Sequence, residues 1–151
     1  MNREVPPRYV VDASIVVKWY SKSGEEDVEK ADKLIKEHIK GECLLVSSPL
    51  VLYELSNALR FNPHLNQEDV VRAIKAFLGL EIELLGFEEI FEEMLEIAFQ
   101  KDITAYDAVY VALSRRHQIP LITADYKLYE KLKGLPLVIS LKEMPNRGRR
   151  S

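Results

Sequence analysis

The chain has 151 residues, 47% of them hydrophobic, which suffices for one domain with a sizeable core. Its single cysteine, Cys43, excludes a disulfide framework and a thiolate metal site, so a reducing interior is the expected setting. The net charge of -3 argues against a surface covered by basic patches, and no apolar run approaches the ~20 residues of a membrane span. We therefore expect a soluble, cytoplasmic protein with no membrane partner.

Strand and helix patterns alternate along the whole chain. The predicted strands are the apolar runs at residues 9–11, 44–47, 82–85, 121–123 and 137–140. The predicted helices cover residues 14–20, 25–39, 49–61, 67–80, 88–100, 104–117 and 126–133. Short, continuously apolar strands separated by helices are typical of a parallel sheet that is covered on both faces. The predicted fold is therefore α/β, a three-layer αβα sandwich around a central parallel sheet of about five strands.

The end of the chain differs in charge from the rest. One domain is predicted over residues 1–141, and residues 142–151 are predicted to form a basic, flexible C-terminal tail. The basic residues of this segment, set against a single acid at Glu143, are Lys142, Arg147, Arg149 and Arg150. These side chains either hold phosphate groups or are simply solvated.

Four carboxylates occupy comparable places in this pattern. Asp12 ends the first strand and Asp125 follows the fourth, while Glu54 and Asp107 lie in helices. Both aspartates next to strands could instead cap the helices that follow them, and the Thr104-x-x-Asp107 spacing is close to a capping box. Capping does not explain Glu54, which lies in mid-helix with no Lys or Arg within one turn. Its alternative is a salt bridge to a basic residue elsewhere.

Carboxyl ends of parallel strands meet at one edge of the sheet, so we expect these four side chains to converge there. Converging carboxylates raise one another's pKa values unless a positive charge joins them. Oxygen ligands with no His or Cys nearby select Mg²⁺ or Mn²⁺ rather than zinc. The pattern therefore predicts a divalent metal site.

Four segments, in this order and spacing, resemble the PIN-domain family and in particular its VapC-type toxin ribonucleases. They are residues 11–19, 53–59, 104–113 and 121–125. The resemblance implies a PIN-like fold and a Mg²⁺- or Mn²⁺-dependent endoribonuclease that hydrolyses RNA phosphodiester bonds, with one or two bound ions. The catalytic and metal-binding residues that it implies are Asp12, Glu54, Asp107 and Asp125.

The resemblance also implies supporting residues and partners. Hydroxyl positions of the family map onto Ser14 and Thr123, although Ser14 could equally be a donor at the start of a helix. Asn57, one turn after Glu54, is a further candidate, and a solvent-facing amide is its alternative. The implied partners are RNA, a cognate VapB-type antitoxin, and a second copy of the chain bound through the helices after strands two and three. An extra acid that some members carry just after the fourth one is missing, because residues 126–129 precede Glu130.

The alternatives to the nuclease are of two kinds, a phosphoryl-transfer domain and a PIN-fold module without activity. A haloacid-dehalogenase-like phosphatase requires an Asp where this chain has Ser14, and a receiver domain requires one where it has Leu85-Gly86. A catalytically dormant PIN-fold module that binds RNA or protein is the main alternative to the enzyme. Lys18 could hold phosphate, and Trp19 either stacks on bases or lies in the core.

Overall fold

The central strand of the sheet is the one that ends at Asp12. In the computed structural model, which describes residues 5–22 and 24–145, five strands pair in the order β3-β2-β1-β4-β5, and every pairing is parallel. The strands are β1 Arg8–Val11, β2 Leu44–Ser47, β3 Glu83–Leu84, β4 Leu121–Thr123 and β5 Val138–Ser140. The predicted parallel sheet of five strands is confirmed.

Helices cover both faces of this sheet. They are α1 Ala13–Tyr20, α2 Val28–Ile39, α3 Leu50–Arg60, α4 Gln67–Gly79, α5 Phe91–Lys101, α6 Ala105–His117 and α7 Tyr126–Leu132. Because parallel crossovers are right-handed, the connections toward β3 place α1 to α4 on one face and those toward β5 place α5 to α7 on the other. The helix contacts agree, since α1 packs against α2 and α3 while α5 packs against α6. The three-layer αβα sandwich is confirmed.

Several predicted boundaries differ from the observed ones, and the differences at β3, α2 and α5 have a visible structural basis. Strand β3 is shorter than predicted, since only Glu83–Leu84 pair with the neighbouring strand at this edge of the sheet. Helix α2 begins at Val28 rather than at residue 25, because Asp27 has a left-handed backbone with a φ of 56°. Helix α5 begins at Phe91 rather than at residue 88, after a turn closed by the bond from Ile90 N to the Phe87 carbonyl.

The C-terminal segment is described as far as residue 145. Leu141–Glu143 form a 3₁₀ turn in which Leu141 is buried, and Met144 packs against the core. The predicted flexible tail therefore lies mostly in residues 146–151, which are outside the described part of the chain. Among residues 5–22 and 24–145, no helix combines the length and hydropathy needed to cross a bilayer.

Trp19 joins three helices on the face that carries α1. Its indole N–H donates to the Ala31 carbonyl oxygen of α2 at 2.9 Å, and its ring stacks on Phe77 of α4 with 6.5 Å between centroids. The ring is buried, so of the two roles considered for Trp19 the structure supports the one in the core. Since α1 begins directly after Asp12, this anchor also fixes the helix that follows the central strand.

The Trp19→Phe variant is expected to lose about 1–2 kcal/mol of unfolding free energy, because the buried hydrogen bond to Ala31 disappears. Tyr20→Phe is the matched control: within the described residues the Tyr20 hydroxyl has no hydrogen bond, so a change below about 0.5 kcal/mol is expected. Urea denaturation followed by circular dichroism measures both. Equal losses in the two variants would contradict the anchoring role.

Candidate functional site

Asp12 is a buried carboxylate at the carboxyl end of the central strand. Only 5% of the residue is exposed. Its Oδ1 accepts a hydrogen bond from the Ser14 hydroxyl at 2.5 Å, and its Oδ2 accepts one from the Thr123 hydroxyl at 2.6 Å. The side chain does not cap α1, so the capping alternative for Asp12 is wrong. Burial raises the pKa of Asp12 to about 6, against the lowering effect of the two hydroxyls.

The two hydroxyls also join β1 to the neighbouring strand β4. Ser14 Oγ accepts from the backbone N–H of Ala124 at 2.8 Å, and Thr123 Oγ1 accepts from that of Asp125 at 3.1 Å. Each hydroxyl therefore accepts a backbone hydrogen bond and donates its own hydrogen to Asp12. This arrangement orients both carboxylate oxygens.

Asp125 is the exposed member of the group. It follows β4, and its Oδ1 accepts the backbone N–H of Leu128 at 3.0 Å, so it does cap α7 as the alternative interpretation predicted. Capping uses one carboxylate oxygen and leaves Oδ2 available. Its charge contributes to the raised pKa of Asp12 and of Asp107.

Asp107 lies in the first turn of α6, a helix that is buried from Ala108 to Ser114. The Thr104 hydroxyl caps this helix by accepting the backbone N–H of Asp107 at 3.0 Å. Asp107 itself is only partly buried, although the helix is buried from the next residue onward. Burial and the charge of Asp125 raise the pKa of Asp107, whereas Thr104 and Lys131 lower it.

Glu54 lies in the middle of α3 and is half-buried. Its Oε1 accepts a hydrogen bond from the Tyr110 hydroxyl of α6 at 2.6 Å. Burial is the main cause that raises the pKa of Glu54; the charge of Asp107 adds to it, and the bond from Tyr110 opposes it. The two helices thus meet through this bond at the same end of the sheet.

The charges of these carboxylates raise the pKa values of neighbouring groups in the cleft. Tyr110 shows this most clearly, because its pKa is raised by burial, by Glu54, and by the charges of Asp12 and Asp107. Within residues 5–22 and 24–145, no Lys, Arg or His forms a salt bridge with any of the four carboxylates. The salt-bridge alternative for Glu54 is therefore wrong for the described chain.

The four acids fit a hard divalent cation by their chemistry, since the ligands are oxygens and the negative charge has no salt-bridged cation. The four carboxylate groups do not surround a single point. As placed, no three Asp, Glu, His or Cys side chains of the described residues are grouped closely enough to hold an ion. Tyr110 occupies Oε1 of Glu54, and the cap of α7 occupies Oδ1 of Asp125, so each of these two side chains keeps one carboxylate oxygen without a hydrogen bond in the described residues.

Comparison with known proteins identifies the family. A profile described as PIN domain matches residues 9–133 of the chain. One relative, Exonuclease VapC9 of Pyrobaculum aerophilum, is 30% identical over 134 residues, which are 86% of this chain and 90% of that protein. The chain belongs to the PIN-domain family.

Other similar proteins agree with this assignment. Ribonuclease VapC3 of Pyrobaculum aerophilum is 27% identical over 135 residues, covering 85% of this chain and 97% of that protein. A solved toxin-antitoxin complex from Klebsiella pneumoniae contains a chain with the same fold, with a TM-score of 0.65 at 15% identity over 90% of this chain and 99% of that one. The recognition of a VapC-type PIN domain from sequence is confirmed.

The site of this PIN domain contains most, but not all, of the predicted residues. Ser14 and Thr123 are directly bonded to Asp12. Asn57 is exposed and makes no hydrogen bond in the described residues, so a supporting role for it stays a prediction. Lys18 is buried and forms an ion pair with Glu25 at 2.9 Å, so its proposed contact with phosphate is wrong.

Tyr110 is the residue of this PIN site that sequence reasoning missed. It lies three residues after Asp107, and the same face of a helix returns every three to four residues, so its position next to the carboxylates was visible in the spacing. Its hydroxyl was hidden among five apolar neighbours in the run from Ala108 to Leu113.

Asp12→Asn is expected to stabilise the metal-free protein at pH 8 by about 1–3 kcal/mol, at ~1.4 kcal/mol per unit of pKa difference. The folded-state pKa of Asp12, about 6, lies above its unfolded value, so its ionisation costs stability as the pH rises. The gain should therefore vanish below about pH 4, where Asp12 is neutral in both states. Denaturant titrations in EDTA at both pH values measure it.

The control for this measurement is Glu92→Gln, which removes an exposed carboxylate in the first turn of α5. It should change stability by less than about 0.5 kcal/mol at either pH. A destabilised Asp12→Asn protein at pH 8 would mean that the buried carboxylate is compensated after all.

Proposed function

We propose that this PIN domain is a Mg²⁺- or Mn²⁺-dependent endoribonuclease that hydrolyses RNA phosphodiester bonds. The observation that supports it is that Asp12, Glu54, Asp107 and Asp125 lie at the carboxyl end of a parallel sheet and form no salt bridge within residues 5–22 and 24–145. Single-stranded or structured RNA as the substrate follows from the similarity to Ribonuclease VapC3.

The proposed roles follow from the contacts of each side chain. Asp12 and Asp107 are the main ligands of one or two divalent ions, and Glu54 and Asp125 complete the site directly or through water. When bound, the ion supplies Lewis-acid chemistry and lowers the pKa of a water molecule. The hydroxyls of Ser14 and Thr123 keep both oxygens of Asp12 oriented.

The reaction needs no nucleophile from the protein. A water oxygen attacks the phosphorus in line with the leaving 3′ oxygen, so a P–O bond to the water oxygen forms and the bond from phosphorus to the 3′ oxygen breaks. The proton that the water loses is balanced by the proton that the 3′ oxygen takes up to leave as a hydroxyl. The carboxylates would hold the divalent ion next to the phosphate, where its positive charge would offset the negative charge that develops on the reacting phosphate group. Tyr110 holds Glu54 at the edge of the group before the site is filled.

A second candidate is exonucleolytic cleavage, which the name of the relative with 30% identity favours. A third is the dormant module that binds RNA or protein without cutting it. Circular single-stranded RNA separates these three, since an endonuclease cuts it, an exonuclease degrades only linear RNA, and a dormant module cuts neither.

With Mg²⁺ or Mn²⁺ the wild-type protein is expected to cut both circular and linear RNA, and EDTA should abolish cutting. Asp12→Asn and Asp107→Asn should each lower kcat/KM by more than about a hundredfold, because loss of even an outer ligand partner costs 10–100-fold. Gel electrophoresis of labelled RNA measures the products, and Glu92→Gln is the control with unchanged activity.

Thermal melts show whether the inactive variants are folded. Metal-independent cutting, or equal cutting by wild type and folded Asp12→Asn, would remove the catalytic proposal. Degradation of linear RNA alone would replace the endonuclease by the exonuclease.

An antitoxin of the VapB type is the proposed regulatory partner. Support comes from VapC-type relatives and from the toxin-antitoxin complex of Klebsiella pneumoniae that shares the fold. A basic side chain of such a partner would find carboxylates without salt-bridged cations in the cleft, and an Arg matches carboxylates with two parallel hydrogen bonds.

A second copy of the chain is the proposed partner of helix α5. Phe91, Leu95 and Phe99 repeat every four residues and are exposed, Leu95 by 44% and Phe99 by 86%. Phe87 extends this stripe, because its ring stacks on Phe91 with 5.5 Å between centroids. In a two-fold symmetric dimer the same surface patch of each subunit meets at the axis, so the apolar stripe of one α5 would pack against the stripe of the other.

Leu95→Glu with Phe99→Glu is expected to convert a dimer into a folded monomer, because charge would be buried in the apolar interface. Light scattering after size-exclusion chromatography measures the mass. Ile39→Glu, at an exposed apolar position at the end of α2, is the control that should leave the dimer intact. A monomeric wild type would contradict the proposal, as would a dimer that survives the double change.

A further inference from the structure

A polar cavity of about 520 Å³ lies between α6 and α7 directly beside the carboxylates. Asp107 lines it from α6, and Asp125, Lys127 and Lys131 line it from α7 and its N-cap. The volume is within the ~300–1,000 Å³ that proteins use to hold a small ligand. The cavity is therefore large enough to receive a nucleotide next to the reacting phosphate.

Both lysines present their charge to this space. They are four residues apart on α7, so they lie on the same face of the helix, whereas Leu128 beside them is buried. Lys131 Nζ donates to the Asp102 carbonyl oxygen at 2.9 Å, a neutral acceptor. Lys127 is exposed and has no ion pair or hydrogen bond within the described residues.

Neighbouring lysines of the same surface differ in this respect. Lys133 pairs with Glu130 at 3.0 Å, and Lys142 lies 3.9 Å from Glu26. In the part of the chain that the structure describes, neither Lys127 nor Lys131 forms a salt bridge with a carboxylate. Lys127 is therefore available to an anion, and Lys131, whose charge also lowers the pKa of Asp107, is held in the cavity by a neutral acceptor.

We propose that Lys127 and Lys131 together bind one backbone phosphate of the RNA, adjacent to the phosphate that is cut. The proposal rests on the RNA-cleaving function proposed above and deepens it by placing the strand in the cavity between α6 and α7. Lysine binds phosphate as a point charge and reads no base, so this contact positions the strand independently of its sequence. Asp102 also lines the cavity, and its carboxylate repels an anion, so the contact depends on the charges of both ammonium groups.

The test compares two double variants that remove the same charge. Lys127→Gln/Lys131→Gln acts on the cavity, and Lys36→Gln/Lys40→Gln acts on exposed lysines at the end of α2 that do not line it. For the cavity variant we expect KM for RNA cleavage to rise by about tenfold, with kcat within about twofold of wild type, because the lost contact is made equally before and during reaction. The α2 variant should change neither by more than about twofold.

Binding provides a readout that a merely structural role would not move. In the non-cleaving Asp12→Asn background, the affinity for a short single-stranded RNA is measured at several salt concentrations. Loss of one phosphate contact should reduce the slope of log K against log salt by about 0.7 in the cavity variant. Lys127→Arg/Lys131→Arg should restore both the slope and KM, since the charge is kept.

The outcomes separate this inference from the function on which it rests. Cleavage by wild type together with a cavity variant that behaves like the α2 variant overturns the phosphate contact and leaves the nuclease intact. If wild-type protein neither cuts nor binds RNA, the proposed function itself fails, and the inference fails with it. A tenfold rise in KM with a reduced salt slope in the cavity variant alone supports it.

Discussion

The structure depends on a carboxylate that is buried without a cation. Asp12 follows the central strand, where the sheet and its helices exclude water from it, and the hydroxyls of Ser14 and Thr123 each donate to one of its oxygens. These neutral donors do not fully offset the desolvation of a charge, since the pKa of Asp12 stays raised at about 6, so the free protein keeps this group at a cost in stability. A positively charged ligand that binds the Asp12 carboxylate would remove this cost, so the site is suited to such a ligand.

The order of the strands explains why other acids join Asp12. Strand β4 pairs directly with β1, so Thr123 and Asp125 end beside Asp12. Glu54 and Asp107 arrive from helices on opposite faces, which meet through the bond between Glu54 and Tyr110. The acidic cleft is thus a consequence of the doubly wound topology, and the lysines of α7 lie on its one basic side.

Much of the fold and of the candidate site was predictable from the sequence, because both depend on local patterns. The bounds of β2 and β4 were predicted to the residue, and Thr104 was identified as the start of α6, since periodicity and capping are local signals. Partners distant in sequence were not predictable. The bond from Tyr110 to Glu54 spans 56 residues, and the buried Lys18 of α1 pairs with Glu25, which lies before α2. Hydrophobic patterns indicate which face is buried but not which polar groups meet there.

The central claim is that the carboxylates around Asp12 form a site for a divalent cation. Isothermal titration of Mn²⁺ into the metal-free protein, with Asp12→Asn alongside, measures this independently of any RNA. The account predicts saturable binding of one or two ions to the wild type, and a strong loss of affinity in the variant. Wild-type protein that binds no Mn²⁺, or a variant that binds it equally well, would contradict the account.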